Sequence, residues 1–289
     1  MLSGRVISEN NISLKALTGA LEIGENALIY GGNEVSAQSA SFLNKGILSS
    51  QNKTEIKTLA SNLENRGLLH SEHNLYLFSE RNIDNQGRLY VSLRRTLSQG
   101  SNPRDGNPQG GASTSPDLSQ NASLTAKGQL INSGVIYGDD SVHLTSENGF
   151  LNSGEIAALG NLSISNQGDL TNSQALKSGG NLTLKSVLGK INNSGDLTAE
   201  GLLGLEGLTG IENTGALTSN GGIELKSLAG GITNKGDLKS ALAIKFGARD
   251  QIENEGAITT NNNAVFFSKT GGLKKNGEVK AGNKVLVAL

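Results

Sequence analysis

Residues 170–186 read LTNSQALKSGGNLTLKS, and residues 191–207 read INNSGDLTAEGLLGLEG. Few letters agree, but the grammar does. An apolar residue is followed two places later by Asn, then by small turn-forming residues. A second apolar residue and a Gly come next, and an alternating apolar pair closes the unit. A pattern kept while the letters change is the mark of a structural repeat, so the fold hangs on how far this unit extends.

It extends along most of the chain. The residue equivalent to Leu170 is Phe42, Leu63, Ile83, Leu130, Phe150, Ile191, Ile211, Ile232, Ile252 and Leu273 in the other units. Successive spacings are 20 or 21 residues, apart from one interval of 47 between Ile83 and Leu130. Two looser units lie near Met1 and Leu21. Within a unit the apolar residues fall two apart, as in Leu182 and Leu184, Leu203 and Leu205, or Val142 and Leu144. Residues two apart share one face of a strand. The members of each pair therefore point inward, while Thr183 or His143 between them points out. No 3.6-residue periodicity competes, which argues against helices. Gly and Asn gather between the strands, where tight corners are expected to use positive φ.

Two or three short strands every 20 residues predict an all-β fold, a right-handed parallel β-helix. Each coil buries its apolar edge only by stacking on its neighbours. About 13 coils at roughly 4.8 Å each would make a rod on the order of 60 Å long. The Asn of the unit recurs as Asn44, Asn65, Asn85, Asn132, Asn152, Asn172, Asn193, Asn213, Asn234 and Asn254. A buried amide offers both a donor and an acceptor, so identical amides one strand apart can bond in a row. The competing reading gives each Asn a turn conformation alone, but a turn would equally admit Asp or Gly. Lys275 interrupts the row in the last unit.

Composition narrows the classes. Aromatic residues make up 3% of the chain, with no Trp, fewer than the core of a globular enzyme of 289 residues normally carries. A net charge of −1 with regularly recurring apolar residues argues against disorder, and it lacks the basic excess of a nucleic-acid binder. Cysteine is absent, which removes disulfides, thiolate metal sites and Cys nucleophiles. No apolar run is long enough for a transmembrane helix, and residues 1–20 lack the pattern of a signal peptide. The chain reads as a piece of a longer filament.

The unit N-S/T-G-x-L/I-x-a-x-G-N-L-x-L is seen at Asn152–Ile164, Asn172–Leu184 and Asn213–Leu225. It resembles the haemagglutinin repeats of two-partner-secreted bacterial exoproteins. That family includes filamentous haemagglutinin and the toxin proteins of contact-dependent growth inhibition. The resemblance covers most of the chain and is strongest from Leu130 to Gly277. It implies a β-helical filament exported through an outer-membrane secretion partner and displayed at the bacterial cell surface. It also implies neighbouring β-helix coils beyond this piece. Proteins of this kind carry a receptor-binding segment or a toxin on such a filament, and the resemblance does not choose between shaft and receptor tip.

Few residues suggest chemistry. His70 and His73 stand three apart, which gives no common face on a strand, and with His143 they read as ordinary surface histidines. No nucleophile elbow, P-loop or dinucleotide fingerprint occurs, and neither a cofactor nor a metal is expected. Some β-helices cleave polysaccharides with paired carboxylates. Here Glu155, Asp169, Asp196, Glu200 and Glu224 scatter over different positions of the unit and read as solvated charge.

The informative region is where regularity fails. Six of the eight arginines (Arg66, Arg81, Arg88, Arg94, Arg95 and Arg104) lie between 66 and 104, and no Lys occurs between Lys57 and Lys127. Arg presents a planar fork for carboxylate or phosphate and stacks on aromatic rings. The outward place seven residues after the start of the unit holds His70, Tyr90 and Tyr137, where the units from Leu170 onward hold Lys177, Thr198, Thr218, Lys239 and Thr259. Tyr76 points out between Leu75 and Leu77. The long interval includes SQGSNPRDGNPQGGASTSPD, residues 98–117, with all three prolines. It is expected to replace or extend one corner.

This divides the chain into amino-terminal coils 1–97, an insertion loop 98–117, and regular coils 118–289 of the same solenoid. The candidate receptor-binding face is His70, Tyr76, Arg88, Tyr90, Arg94, Arg95, Arg104 and Tyr137. Its expected partner is an outer-membrane protein or a lipopolysaccharide or other glycan on a target cell, with no nucleic acid involved. A non-catalytic adhesive segment is the leading function. The alternatives are a passive shaft that spaces a distal domain and a polysaccharide-active enzyme.

Overall fold

The computed structural model describes residues 1–92 and 120–289. Over these residues the chain is a parallel β-solenoid with no helix, built from short strands stacked coil on coil. Each regular coil has three strands. In the coil beginning at Leu170 they are Leu170–Asn172, Leu176–Ser178 and Leu182–Ser186. Every one pairs in parallel with its counterpart in the next coil: Leu170 opposite Ile191, Leu176 opposite Leu197, Leu182 opposite Leu203. We refer to the three resulting surfaces as the first, second and third face, in chain order within a coil. Among the described residues the second face is a sheet of 13 strands. The other two merge into a larger sheet because Ile12–Ile23 and Glu34–Asn44 run unbroken around the corner between them.

The alternation in the sequence fills the tube. Leu170, Leu176, Leu182 and Leu184 are wholly buried, as are Leu197 and Leu203 in the next coil. Burying each such side chain contributes about 1.5–3 kcal/mol, and one coil has no partner for this burial except its neighbours. Among the core aromatics, Phe246 and Phe266 stack on successive coils with ring centroids 5.0 Å apart.

Nine consecutive side-chain hydrogen bonds join the ten asparagines from Asn44 to Asn254. Each amide nitrogen donates to the Oδ1 of the next coil's Asn, at 2.7–2.8 Å. The row has a direction. Asn44 faces Ile23 in the preceding coil, so its buried Oδ1 has no donor. At the far end Asn254 faces Lys275, and its amide donates to Gly256 O.

The corners depart from expectation in their physical reason. Among the described glycines only Gly4, Gly149, Gly210 and Gly272 have positive φ. The Gly that follows the ladder Asn is needed for closeness instead. A Cβ on Gly236 would sit 1.9 Å from Gly215 O, and one on Gly256 would sit 2.0 Å from Gly236 O. The backbone of one corner rests directly on the carbonyl of the corner beneath it, and no side chain fits between.

Two further sets of corner bonds were not foreseen. Interior hydroxyls donate to carbonyls of the preceding coil: Ser178 to Gly160 O at 2.8 Å, Ser219 to Gly201 O at 2.6 Å and Ser240 to Gly221 O at 2.7 Å. Exposed Asn and Asp side chains accept backbone N–H groups of the following coil. Asn181 accepts from Leu202 at 2.8 Å, Asp169 from Lys190 at 2.8 Å and Asp196 from Ala216 at 2.9 Å. They satisfy polar groups that a tight corner would otherwise leave unpaired.

Candidate recognition surface

The interval of 47 residues does not displace the solenoid. Ile83 pairs with Leu130 on the first face, Arg88 with Val135 on the second, and Leu75 with Ala122 on the third. All the surplus therefore enters at one place, the second corner of one coil, between the strands Arg88–Val91 and Ala122–Ala126. The insertion extends a corner and replaces no coil. Residues 98–117 themselves, and with them Arg94, Arg95 and Arg104, lie outside the described residues.

Three of the candidate residues come together on the second face below that corner. Arg88 and Tyr90 are two apart on one strand and so share its outer side. Tyr90 pairs in register with Tyr137 of the next coil, with ring centroids 6.1 Å apart and the rings tilted by 57°. Aromatic pairs favour such tilted, offset arrangements. Both rings are half-buried. Burial pushes the Tyr90 hydroxyl above its ordinary value, a rise that Arg88 opposes and Glu155 adds to.

Tyr76 lies elsewhere. It is on the third face, 40% exposed, in register with Glu55 and Ser123. Its strand, Asn74–Ser79, begins at the same corner in the coil beneath the insertion. The aromatic residues thus flank the insertion point on two faces and do not form one continuous plane.

His70 is a correction. It occupies the column of Tyr90 but is only 5% exposed, between Ser49 and Tyr90 in neighbouring coils. Its Nδ1 is 2.9 Å from Ser49 Oγ, and its Nε2 is 3.2 Å from Ser92 O. The ring ties the residue at the root of the insertion to the coil below, and it presents no surface to a partner. His73 is half-buried with an enclosed Nδ1, while His143 is exposed on the third face. Among the described residues no three His, Asp or Glu side chains gather as metal ligands would.

The exposed faces of the later coils carry ion pairs between successive turns. Glu206 bridges Lys185 at 2.9 Å and Lys226 at 3.2 Å, and Lys235 pairs with Glu255 at 3.6 Å. Among the described residues no helix is long and apolar enough to cross a membrane. No protein-family model, no curated protein and no solved structure matches the chain.

Proposed function

We propose that this chain is a non-catalytic recognition segment of an exported bacterial surface filament, of the kind its haemagglutinin-like repeats resemble. It contacts a receptor on a target cell through the corner between Val91 and Ala122 and the residues beside it. One observation carries the reading: the surplus enters at a single corner of an unbroken solenoid, with Arg88, Tyr90 and Tyr137 on one side and Tyr76 on the other. Rigid scaffolds commonly carry recognition on loops grafted in this way, and Tyr and Arg are favoured at binding surfaces. An outer-membrane protein loop or a glycan of the outer leaflet suits such a surface. The non-catalytic reading is supported by Asp169 and Asp196, whose carboxylates are engaged in holding backbone N–H groups.

A passive shaft is the second reading. What favours it is the regularity after Leu130, where exposed charges pair with one another from coil to coil. Binding of the purified chain to candidate target bacteria separates the two. The recognition reading expects saturable binding that is lost on deleting residues 93–119 and reduced by Tyr90→Ala with Tyr137→Ala. Saturable binding that survives all three changes, or no binding to any cell on which the intact filament acts, would leave the shaft.

A further inference from the structure

A second feature of the surface lies far along the solenoid, on the third face between Ile223 and Lys269. The outward column there runs Lys185, Glu206, Lys226, Gly247 and Phe267 in register. Gly247 interrupts the column. A Cβ built on it would meet nothing within 4 Å, so the glycine serves neither packing nor a close approach of backbone. It leaves a gap between the side chains of Lys226 and Phe267, which stand two coils, or about 10 Å, apart. The result is a shallow depression of about 540 Å³ floored by the sheet.

Its walls are chemically one-sided. The Phe267 side chain is 50% exposed and closes one end. Lys226, Lys245, Arg249 and Lys269 line the depression, against a single carboxylate, Glu224. Lys226 shares Glu206 with Lys185. Lys245, Arg249 and Lys269 make no ion pair among the described residues, and Lys226 is the one cation of the four that does. Asp250, the nearest further carboxylate along the chain, takes a hydrogen bond from Thr270 at 3.2 Å. An aromatic platform beside unpaired cations, around a gap with no side chain in it, is a site for a ring that offers an apolar C–H face and carries negative charge.

We infer that this depression binds an acidic saccharide. A sugar ring lies over Gly247 against Phe267, and its carboxylate meets Arg249 and the flanking lysines. The site is separate from the surface around Val91 and does not depend on that reading. The pairing of Arg with carboxylate is two-pronged and directional, and the ring contact needs the space that Gly247 leaves open.

The test is titration of the purified chain with oligogalacturonate, its methyl ester and polyglutamate, at fixed salt. Oligogalacturonate should bind. The ester keeps the rings and loses the charge, and polyglutamate keeps the charge and loses the rings. Both should bind at least roughly tenfold more weakly, a factor that corresponds to about 1.4 kcal/mol. Gly247→Val fills the gap in an open position with a strand-favouring residue, so the melting temperature should hold while binding falls by a similar factor or more. Arg249→Ala should weaken binding, and Tyr90→Ala with Tyr137→Ala should leave it unchanged. Polyglutamate binding as tightly as oligogalacturonate would reduce the site to general charge attraction and overturn the inference. So would undiminished binding by a folded Gly247→Val chain, or no oligogalacturonate binding at all.

Discussion

The side-chain amide of Asn85 donates to Oδ1 of Asn132 at 2.7 Å, across 47 residues of chain. The bond is as short as those between coils that are 20 residues apart, such as Asn152 to Asn172 at 2.7 Å. The solenoid closes over the insertion as though it were absent. Joining Ser92 directly to Gln120 restores the corner length of Glu72, His73 and Asn74 in the coil beneath. That deletion should therefore fold, with a denaturation midpoint equal to or slightly above that of the whole chain. Shortening a closed loop by about half returns only about 0.6 kcal/mol of closure entropy. Far-ultraviolet spectra and urea unfolding would check this, and loss of the β signal would show that the insertion is needed for assembly.

Asn172 is wholly buried, accepts from Asn152 at 2.7 Å and donates to Asn193 at 2.8 Å. Asn172→Ala should destabilise by about 1–3 kcal/mol, because it leaves a buried Oδ1 on Asn193 without its donor. Asn172→Asp should cost more at neutral pH, since a carboxylate cannot donate to Asn193 and is buried without a cation. Burial raises the folded-state pKa of that carboxyl. The added penalty should therefore be complete above that raised folded value, shrink as pH falls from it towards the ordinary Asp value of about 3.9, and be absent below. Urea unfolding of both variants at two pH values measures the difference, and equal midpoints at neutral pH would contradict the directional row.

Gly236 and Gly247 make a matched pair. Alanine at Gly236 would drive its Cβ to 1.9 Å from Gly215 O, a backbone atom that cannot turn aside. Gly236→Ala should destabilise by about 1–3 kcal/mol or more. Alanine at Gly247 meets nothing, so Gly247→Ala should be neutral or stabilise by about 0.4–1 kcal/mol through the unfolded chain. Thermal melts of the two variants should move in these opposite directions.

Glu206 is held below the ordinary carboxylate value of 4.5, first by its hydrogen bond with Lys185 and further by Lys226. A lowered pKa in the folded state means a stabilising contribution that is complete above 4.5 and is lost as pH falls through the folded value. Glu206→Gln should thus lower the melting temperature slightly near neutral pH and not at all in strong acid. Added salt should narrow the gap, since the group is partly exposed. A difference that grows towards acid would reverse the assignment.

Much of this structure could be read from the chain. The 20-residue period, the inward pairs such as Leu182 and Leu184, and the row from Asn44 to Asn254 all follow from alternation along an extended backbone, which is a local property. Surface positions were less legible. The column that contains Tyr90 also contains His70, and an outward-facing place implied exposure, yet the rows above and below enclose the ring. The corner glycines showed the same limit. Their positions were plain, but the reason lay in the carbonyl of a residue one coil away.

Periodicity and side-chain chemistry thus settled the coil, its core and its ladder, because each depends on neighbours two residues apart or on a strict repeat. Three-dimensional stacking settled the rest. It placed Tyr90 beside Tyr137 but Tyr76 around a corner, confined a 47-residue interval to one turn of the tube, and set the gap at Gly247 between Lys226 and Phe267. Those relations join residues 20 or more apart, and the register and corner geometry that bring them together have no signature in any one stretch of chain.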